Sequence, residues 1–390
     1  MDDQRSKPHK GITADDVAKM CGVHRSTVRR VMCNDPRIST DTAKRVWAAA
    51  RKVGYNPTQN TAARRLALQR QGRSLLNYLI GCVVPVDFQE ATYFSEMYRG
   101  ILRTLEVEEF ALLTSYYNLP EIEPLRNPIP PALIRGDADG LILIRTRYDF
   151  APFLAKLREA GNFVNRPVVT LMHTLPDLPA ILTDDKSGAY AVTKHLLELG
   201  HRYFLQMVVQ DGDVNMVRDE NMVRRLAGIH QALAEYDLDP GTHLQQFVTP
   251  LSWTSPFPLE DEVGEHQVGI FDNRKVGMHL GEYLRIHSEI TAIMGINDAC
   301  AIRAWRWIEY HGWHIPDDYS IVGFDDTDPI LNAAHKNSLT SVRLPLKEAG
   351  YKATKLLLKL INTGETHHDP IILPTKLMIR ESTAQHHHPK

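Results

Sequence analysis

Apolar residues recur at helical spacing in two short segments near the start of the chain. Thr13 is placed as an N-cap before the first segment, where acidic residues in the first turn suit the positive end of a helix dipole. Gly22 follows and allows a sharp reversal, because glycine tolerates left-handed backbone. The predicted inner faces are Val17, Ala18 and Cys21 in the first helix, and Val23, Val28 and Val31 in the second.

A third amphipathic segment follows the stretch "RIST", with Ser39 or Thr40 as its predicted cap. "GYNP", residues 54–57, should end this helix, because proline cannot continue it. Three short helices with a tight turn between the first two are typical of a helix-turn-helix unit. The predicted inner face of the third helix is Ala43, Val46, Trp47 and Ala50.

From residue 78 onwards, short apolar runs alternate with amphipathic helical patterns. Runs such as "YLIGCVVP", "DGLILI", "RPVVTLM", "RYFLQMVV", "ITAIMGI" and "YSIVGF" read as buried strands. This alternation predicts parallel sheets covered by helices on both faces. About 300 residues exceed one comfortable core, so we expect two α/β lobes. Ligands of such sheets bind beyond the carboxyl ends of the strands.

The charge is divided unevenly along the chain. Residues 1–73 contain 16 Lys and Arg against 6 Asp, whereas the remainder contains 29 Lys and Arg against 41 Asp and Glu. A basic head on an acidic body indicates a polyanionic partner for the head alone. A solvated basic tail would give the same charge, but the helical pattern favours DNA.

The second predicted helix presents arginines on its polar face. In a helix-turn-helix unit this helix enters the major groove, where guanine offers two acceptors to an arginine fork. Arg25, Ser26 and Arg29 or Arg30 share one face, so we predict that they face DNA. A helical hairpin with an ordinary charged surface is the alternative. The outward residues are His24, Arg25, Ser26, Arg29 and Arg30.

Several other classes of protein find little support. No apolar run approaches the ~20 residues of a membrane span, and the start of the chain does not resemble a secretory signal. The four cysteines form no C-x-x-C pair, which favours reduced thiols and no metal site. Catalytic motifs such as G-x-S-x-G and H-E-x-x-H are missing from the sequence. We therefore expect a non-enzymatic, cytoplasmic protein without a cofactor, and a disordered histidine-rich tail.

"ITADDVAKMCGVHRSTVRRVMCNDPRISTDTAKRVWAAARKVGYNP" resembles the DNA-binding head of the LacI/GalR family of bacterial transcription regulators. The resemblance implies that Arg25, Ser26 and Arg30 read bases. It also implies that His24 and Thr27 support them through contacts with phosphate or base edges.

"NTAARRLALQRQGRS" resembles the hinge of that family, which becomes a short helix on operator DNA and wedges a leucine into the minor groove. Leu66 matches this leucine when counted from Asn60 but not from Pro57, because "PTQN" carries two extra residues. The alternative is a buried leucine in an ordinary helix. By the resemblance, Asn60, Arg64 and Leu66 belong to the DNA-binding set.

"AIMGINDACAIRAWRWIEYHGWHIPDDYSIVGFDD" resembles the second lobe of the same family, whose body has the fold of periplasmic sugar-binding proteins. The resemblance implies that Asn297 and Asp325 contact a small effector between the lobes, although both could instead serve as turn or helix caps. Asp298 is then expected to cap the following helix. Arg225, in "RRLAG", matches the family's cleft arginine, and Arg224 should point outward.

The first lobe supplies two aromatic candidates on the loop after its first strand. Tyr93 and Phe94 could stack on a sugar or a base, or could be core aromatics that open a helix. Two departures from the family suggest an unusual effector. Met172 and His173 stand where many members carry an acidic or amide residue, and only Trp253 and Phe257 are candidates for the aromatic roof of the ligand site.

These observations predict an all-α helix-turn-helix domain at 1–57, a hinge at 58–77, a two-lobed α/β body at 78–383 and a tail at 384–390. Lobe 1 is placed at about 78–182 and 346–364, and lobe 2 at about 183–345 and 365–383. The implied function is an allosteric regulator, most simply a repressor that binds a pseudo-palindromic operator and a sugar-like effector. An activator, or a regulator that responds to a non-sugar molecule, is the alternative.

Three further expectations follow. A helix-turn-helix head needs a two-fold partner, so the chain should bind double-stranded operator DNA as a homodimer. The ending "ESTAQHHHPK" has no leucine heptad, which argues against a tetramer. A periplasmic binding protein or an architectural DNA-binding protein would account for only one of the two parts of the chain.

Overall fold

The computed structural model describes residues 13–32, 35, 37–53, 55, 76–84, 92–116, 129–145, 150–159, 166–211, 214–215, 220–250, 280–365 and 368–386. The chain divides into two compact units, Met1–Leu76 and Asn77–Lys390. Asn60, Arg64, Leu66, Trp253 and Phe257 lie outside the described residues.

The described part of the first unit forms three helices, as the apolar spacing predicts. They are α1 (Ala14–Cys21), α2 (Arg25–Met32) and α3 (Thr40–Val53). Thr13 donates from its backbone N–H and its hydroxyl to Asp16 Oδ2, both at 2.8 Å, which fixes the start of α1. Gly22 ends α1 at φ 64°, in the left-handed region that favours glycine.

The core of this unit is built from small apolar side chains of all three helices. Val17, Val28 and Val46 are fully buried, and Ala49 and Ala50 fill the rest of the inner face of α3. Trp47 was predicted to join them but is 37% exposed, so this prediction is wrong. One residue along a helix turns the side chain by about 100°, which carries Trp47 away from Val46.

The second unit contains a six-stranded parallel sheet. Its order is β12-β5-β4-β3-β1-β2, and each neighbouring pair is parallel. The strands are β1 (Leu79–Val84), β2 (Ala111–Tyr116), β3 (Gly140–Ile144), β4 (Val168–Leu171), β5 (Ala180–Thr183) and β12 (Ile371–Leu373).

A second, seven-stranded sheet has the order β13-β11-β10-β9-β6-β7, with β8 also paired to β6. It is parallel except where β7 pairs with β6 and β13 pairs with β11. The strands are β6 (Phe204–Asp211), β7 (Val214–Asn215), β8 (Leu244–Pro250), β9 (Ala292–Met294), β10 (Ser320–Asp325), β11 (Thr340–Arg343) and β13 (Lys376–Met378).

Helices cover both sheets. They are α4 (Thr92–Val107), α5 (Pro131–Ile134), α6 (Ala151–Glu159), α7 (Asp185–Glu198), α8 (Glu220–Ala234), α9 (Pro240–His243), α10 (Leu280–Ile286), α11 (Asp298–Tyr310) and α12 (Leu346–Thr363). No helix among the described residues is both long and apolar enough to span a bilayer.

Glycines bring two helix pairs into backbone contact. A Cβ on Gly350 of α12 would lie 2.0 Å from the carbonyl oxygen of Met97 on α4. A Cβ on Gly228 of α8 would lie 2.1 Å from the carbonyl oxygen of Lys186 on α7. The second approach matters for the candidate site, because it sets the distance between the polar residues that α7 and α8 carry.

The last crossing between the sheets lies further along the chain than the sequence suggested. Residues 346–364 were placed in lobe 1, and α12 does pack against β3, β4 and β5 of the first sheet. Residues 365–383 were placed in lobe 2, but Ile371–Leu373 pairs with β5 of the first sheet. Only Lys376–Met378 joins the second sheet, so the placement of β12 was wrong. A three-residue strand carries too little pattern to show which sheet it joins.

Candidate functional site

Helix α2 presents one polar face and one apolar face. Val28 and Val31 are buried, whereas Thr27 is half-buried. The exposed residues are His24, Arg25, Ser26, Arg29 and Arg30, as the spacing predicted. Three guanidinium groups and a hydroxyl therefore stand on the solvent side of a helix whose opposite side packs against the core through Val28 and Val31.

Two arginines near this face already have partners in the free unit. Arg25 Nη1 lies 3.5 Å from Asp15 Oδ2, and both side chains are more than half exposed, so the pair is weak and easily exchanged for another anion. Arg45 donates from Nη2 to the carbonyl oxygen of Cys21 at 2.8 Å, which satisfies the end of α1. Lys44 is exposed beside it.

In the second unit, Arg225 is the centre of a buried polar cluster. It extends from α8 and is only 7% exposed. Its Nε donates to Asp185 Oδ1 at 2.8 Å, and its Nη1 donates to the carbonyl oxygen of Ile296 at 2.6 Å. Its Nη2 donates to Asp325 Oδ1 at 3.2 Å. The guanidinium also lies 3.6 Å from the ring centroid of Phe324, which fixes its plane.

Asp325 stands at the carboxyl end of β10, where such sheets bind ligands. Its backbone has φ 98°, a conformation that costs a non-glycine residue free energy and that often marks a functional position. Burial raises the pKa of this carboxyl to about 7, Arg225 opposes the rise, and Asp185 adds to it. Asp325 can therefore change charge near neutral pH.

Asp185 belongs to the cluster, although the sequence analysis did not select it. It is fully buried at the start of α7 and accepts from Thr183 Oγ1 at 2.7 Å as well as from Arg225. Asp184 accepts from the backbone N–H of Ser187 at 3.0 Å and is the actual cap of α7. Two aspartates after the buried strand "AILT" were the available signal, because a helix needs only one as its cap.

Asn297, and not Asp298, fills the capping role that the sequence suggested for Asp298. Asn297 Oδ1 accepts from the backbone N–H of Cys300 at 2.9 Å, so Asn297 caps α11 and the prediction for Asp298 is wrong. Asp298 is fully buried and accepts from the backbone N–H of Thr327 at 2.7 Å and from Ser341 Oγ at 2.5 Å. Burial raises the pKa of Asp298. The hydrogen bonds of Asp298 to Thr327 and Ser341 hold the loop after β10, next to Asp325.

The first sheet contributes Tyr93 from the start of α4. Its ring packs edge-on against Phe94 at 5.1 Å, and both rings pack against the main apolar core. The Tyr93 hydroxyl is buried, and no described residue forms a hydrogen bond with it. Burial raises the pKa of this phenol, the positive charges of Arg145 and Arg225 oppose the rise, and the charges of Asp325 and Asp185 add to it. Tyr93 therefore lies close enough to the cluster for its hydroxyl to interact electrostatically with the charged groups there.

Arg224 does not join the cluster. Its side chain is 25% exposed and binds Glu220 and Asn221 on its own helix, so of these two arginines Arg225 alone joins the cluster. Glu220 also accepts from Thr174, in the loop after β4, by the backbone N–H at 2.9 Å and the hydroxyl at 3.0 Å. This contact joins the loop after β4 to the start of α8.

Met172 and His173, which depart from the family pattern, follow β4 directly. Met172 is buried at φ 69°, and the His173 ring stacks on Phe150 at 5.4 Å.

The described part of the tail is ordered, contrary to expectation. His386 stacks on the ring of His201 at 5.5 Å, and its backbone N–H donates to the carbonyl oxygen of Leu199 at 2.7 Å. The ranges that the structure describes contain no group of three His, Cys, Asp or Glu side chains suited to hold a metal ion.

Comparison with known proteins finds a matching family for each of the two units. Residues 13–58 match the family model of bacterial regulatory proteins of the lacI family, and residues 193–383 match that of the periplasmic binding protein-like domain. The chain combines a DNA-binding domain of the lacI family with a periplasmic binding protein-like domain, and its relatives are LacI family transcription regulators. The fold class and the function of a DNA-binding transcription regulator are therefore confirmed.

Members of this family resemble the chain over most of its length. The HTH-type transcriptional regulator DegA of Bacillus subtilis is 28% identical, over 95% of this chain and 98% of its own. The ribose operon repressor of Halalkalibacterium halodurans is 27% identical, over 95% and 97%. A LacI family transcriptional regulator from Enterococcus faecium, solved with bound ribose, is 26% identical with a TM-score of 0.58, over 79% of this chain and all of its own. LacI family proteins are dimeric and bind operator DNA.

Proposed function

We propose that the chain acts in the bacterial cytoplasm as a repressor, and not as an enzyme. Arg25, Ser26 and Arg30 read the operator, and a neutral, sugar-like effector binds between the two sheets of the second unit. The division into a head at 1–57, a hinge at 58–77 and a body at 78–383 is part of this proposal.

The exposed face of α2 supports the proposal that this helix reads the operator. Arg25 and Arg30 present guanidinium forks that match the paired acceptors of guanine, and both side chains are exposed. The Asp15 carboxylate beside Arg25 is replaced by the DNA, whose phosphates supply a denser negative charge. His24, Thr27 and Arg29 support these contacts. Asn60, Arg64 and Leu66 are proposed as the minor-groove contacts of the hinge, on the resemblance alone.

The charge balance of the cluster supports a neutral effector. Arg225 meets two carboxylates, so its positive charge is already neutralised before a ligand arrives. An anionic effector would add a third negative charge to a buried site, at a large desolvation cost. A polyol adds none, and its hydroxyls both donate and accept.

The observation that carries the effector proposal is the pair Tyr93 and Asp325. The buried hydroxyl of Tyr93 lacks a partner among the described residues, and Asp325 receives one hydrogen bond there, from Arg225. A buried polar group without a partner is costly, so a bound hydroxyl that pairs with both residues stabilises the complex. Asn297 and Phe94 complete the proposed contact set. The ribose held by the Enterococcus faecium relative makes pentoses the first sugars to test.

The test measures melting temperature and operator affinity of the full chain with a panel of pentoses, hexoses and their acids. A neutral sugar should raise the melting temperature, because it binds only the folded protein. Asp325→Ala should abolish that rise and the change in operator affinity, while operator binding without the sugar stays intact. If sugar acids alone raise the melting temperature, or if Asp325→Ala responds like the wild type, the effector proposal is wrong.

A further inference from the structure

A histidine holds the start of helix α2. The carbonyl oxygen of His24 accepts from the backbone N–H groups of Thr27 at 2.9 Å and Val28 at 3.3 Å, so His24 is the residue that caps the helix. Its ring Nδ1 accepts from the backbone N–H of Ser26 at 3.3 Å. Ser, Thr, Asp and Asn usually supply an oxygen for this role, and here an imidazole nitrogen supplies the lone pair.

The same nitrogen contacts the side chain of Ser26. Nδ1 lies 2.8 Å from Ser26 Oγ. A backbone N–H can only donate, so Nδ1 carries no proton, and the proton of the neutral ring is on Nε2. Two lone pairs at 2.8 Å would repel, so the hydrogen in this contact belongs to the hydroxyl. The Ser26 hydroxyl therefore donates to His24 and presents only acceptor lone pairs to the outside.

We infer that His24 determines the base preference of Ser26 by occupying its hydroxyl hydrogen, so that Ser26 selects adenine or cytosine in the operator. This inference rests on the proposed function, in which α2 reads the major groove. Both residues are exposed, so the oxygen is free to meet a base edge. Adenine and cytosine offer an exocyclic amino donor there, whereas the atoms of guanine and thymine within reach are acceptors.

A serine without this neighbour would discriminate less. A free hydroxyl rotates and can either donate or accept, so it pairs with any of the four bases. His24 is thus a positioning residue: it touches no base in this scheme, yet it sets what Ser26 can bind. Loss of its ring should change the preference at one operator position, and not only the stability of the helix.

The experiment selects double-stranded DNA from a randomised operator library with the full chain and its variants, and compares base preferences position by position. Ser26→Ala identifies the position that Ser26 reads, because the preference for adenine or cytosine is lost there. His24→Ala should raise guanine and thymine at that same position by about threefold or more relative to the wild type. His24→Asn should keep the wild-type preference, because an asparagine oxygen accepts at an N-cap as Nδ1 does.

Lys44→Ala is the matched control, since Lys44 is exposed on α3 and should weaken all sequences alike. The inference is overturned if His24→Ala keeps the wild-type preference at every position, even with lower affinity, because His24 then only caps the helix. It is also overturned if Ser26→Ala changes no position. If the wild type enriches no sequence at all, the proposed function itself fails, before any variant is compared.

Discussion

Nη2 of Arg225 lies 3.2 Å from Oδ1 of Asp325, and both side chains are almost completely buried. This bond fixes the position of the carboxyl group at the end of β10. Arg225 stabilises the ionised form, but burial dominates and raises the pKa of Asp325 to about 7. The proposed effector site therefore contains a group that titrates near neutral pH.

Effector affinity should rise with pH. A sugar hydroxyl donates to the ionised carboxylate of Asp325, so protonation of this carboxylate competes with sugar binding. One pH unit below a pKa of about 7, only about a tenth of Asp325 is ionised, and the apparent Kd should be about tenfold weaker than at high pH. Calorimetric titration between pH 6 and 8 with the sugar selected by the melting assay measures this. Asp325→Asn should bind more weakly but with a flat profile, and a slope that persists in this variant would contradict the assignment.

The contact between Glu220 and Thr174 should favour the closed arrangement of the two sheets. Thr174 donates twice to one carboxylate oxygen of Glu220. Burial acts to raise the pKa of Glu220, but the hydrogen bonds from Thr174 and the positive charge of Arg224 together hold it below its usual value. We expect Glu220→Gln to weaken effector binding several-fold, because the competent state becomes less populated. The measurement is the Kd for the same sugar, together with small-angle scattering of the free chain.

Glu235→Gln is the control for this prediction. The carboxylate of Glu235, directly after α8, accepts from the Tyr190 hydroxyl at 2.8 Å, but that contact joins the end of α8 to α7, which packs against β11 and β13 of the second sheet. Its loss should leave effector affinity unchanged. Equal effects of the two substitutions would mean that Glu220 acts only through the stability of α8.

The sequence predicts those parts of the fold that a local pattern controls. Val17, Val28 and Val46 are buried because each lies on the apolar face of an amphipathic helix, and that face is visible in the spacing. Trp47 is exposed although it is apolar, because smaller residues already fill the inner face. Periodicity identifies a face but not which residue at its edge faces the core.

The candidate site was predicted only in part, for a similar reason. Arg225 and Asp325 could be selected from the resemblance, and the structure brings them together. Asp185 could not, because its partner Arg225 is 40 residues away and reaches it only through the close approach of α7 and α8 at Gly228. A second aspartate after a strand looks like part of a cap until that packing is known.

Arg25 and Arg30 should differ from Lys44 in what they contribute to DNA binding. Arg25→Ala or Arg30→Ala should cost about 1–3 kcal/mol and relax the preference at one operator position. Lys44→Ala should weaken every sequence alike and reduce the salt dependence, because a phosphate contact carries no sequence information. Affinities across a panel of single-base operator variants, at two salt concentrations, separate these cases. An equal loss on every operator for Arg25→Ala would remove Arg25 from the base-reading set.

His201 should make the second unit less stable in acid. Its Nε2 donates to the carbonyl oxygen of Ala384 at 3.2 Å, and its Nδ1 accepts from Thr291 Oγ1 at 2.8 Å, so the neutral ring fastens the end of the chain. Burial lowers the pKa of His201 to about 4, and the neighbouring carbonyl only partly offsets this. The folded state therefore binds a proton less readily than the unfolded state.

This difference decides whether the free energy of unfolding rises or falls with pH. The contribution of His201 to the free energy of unfolding is complete above a pH of about 6.5, and it is lost as the pH falls toward 4, by about 1 kcal/mol per pH unit. Asp325 has the opposite sign in the same range, since its pKa is raised and its proton stabilises the folded state. The two are separated by comparing denaturant unfolding of the wild type with His201→Asn and Asp325→Asn. The difference between wild type and His201→Asn should shrink on acidification, and a difference independent of pH would show that His201 contributes packing but no titration.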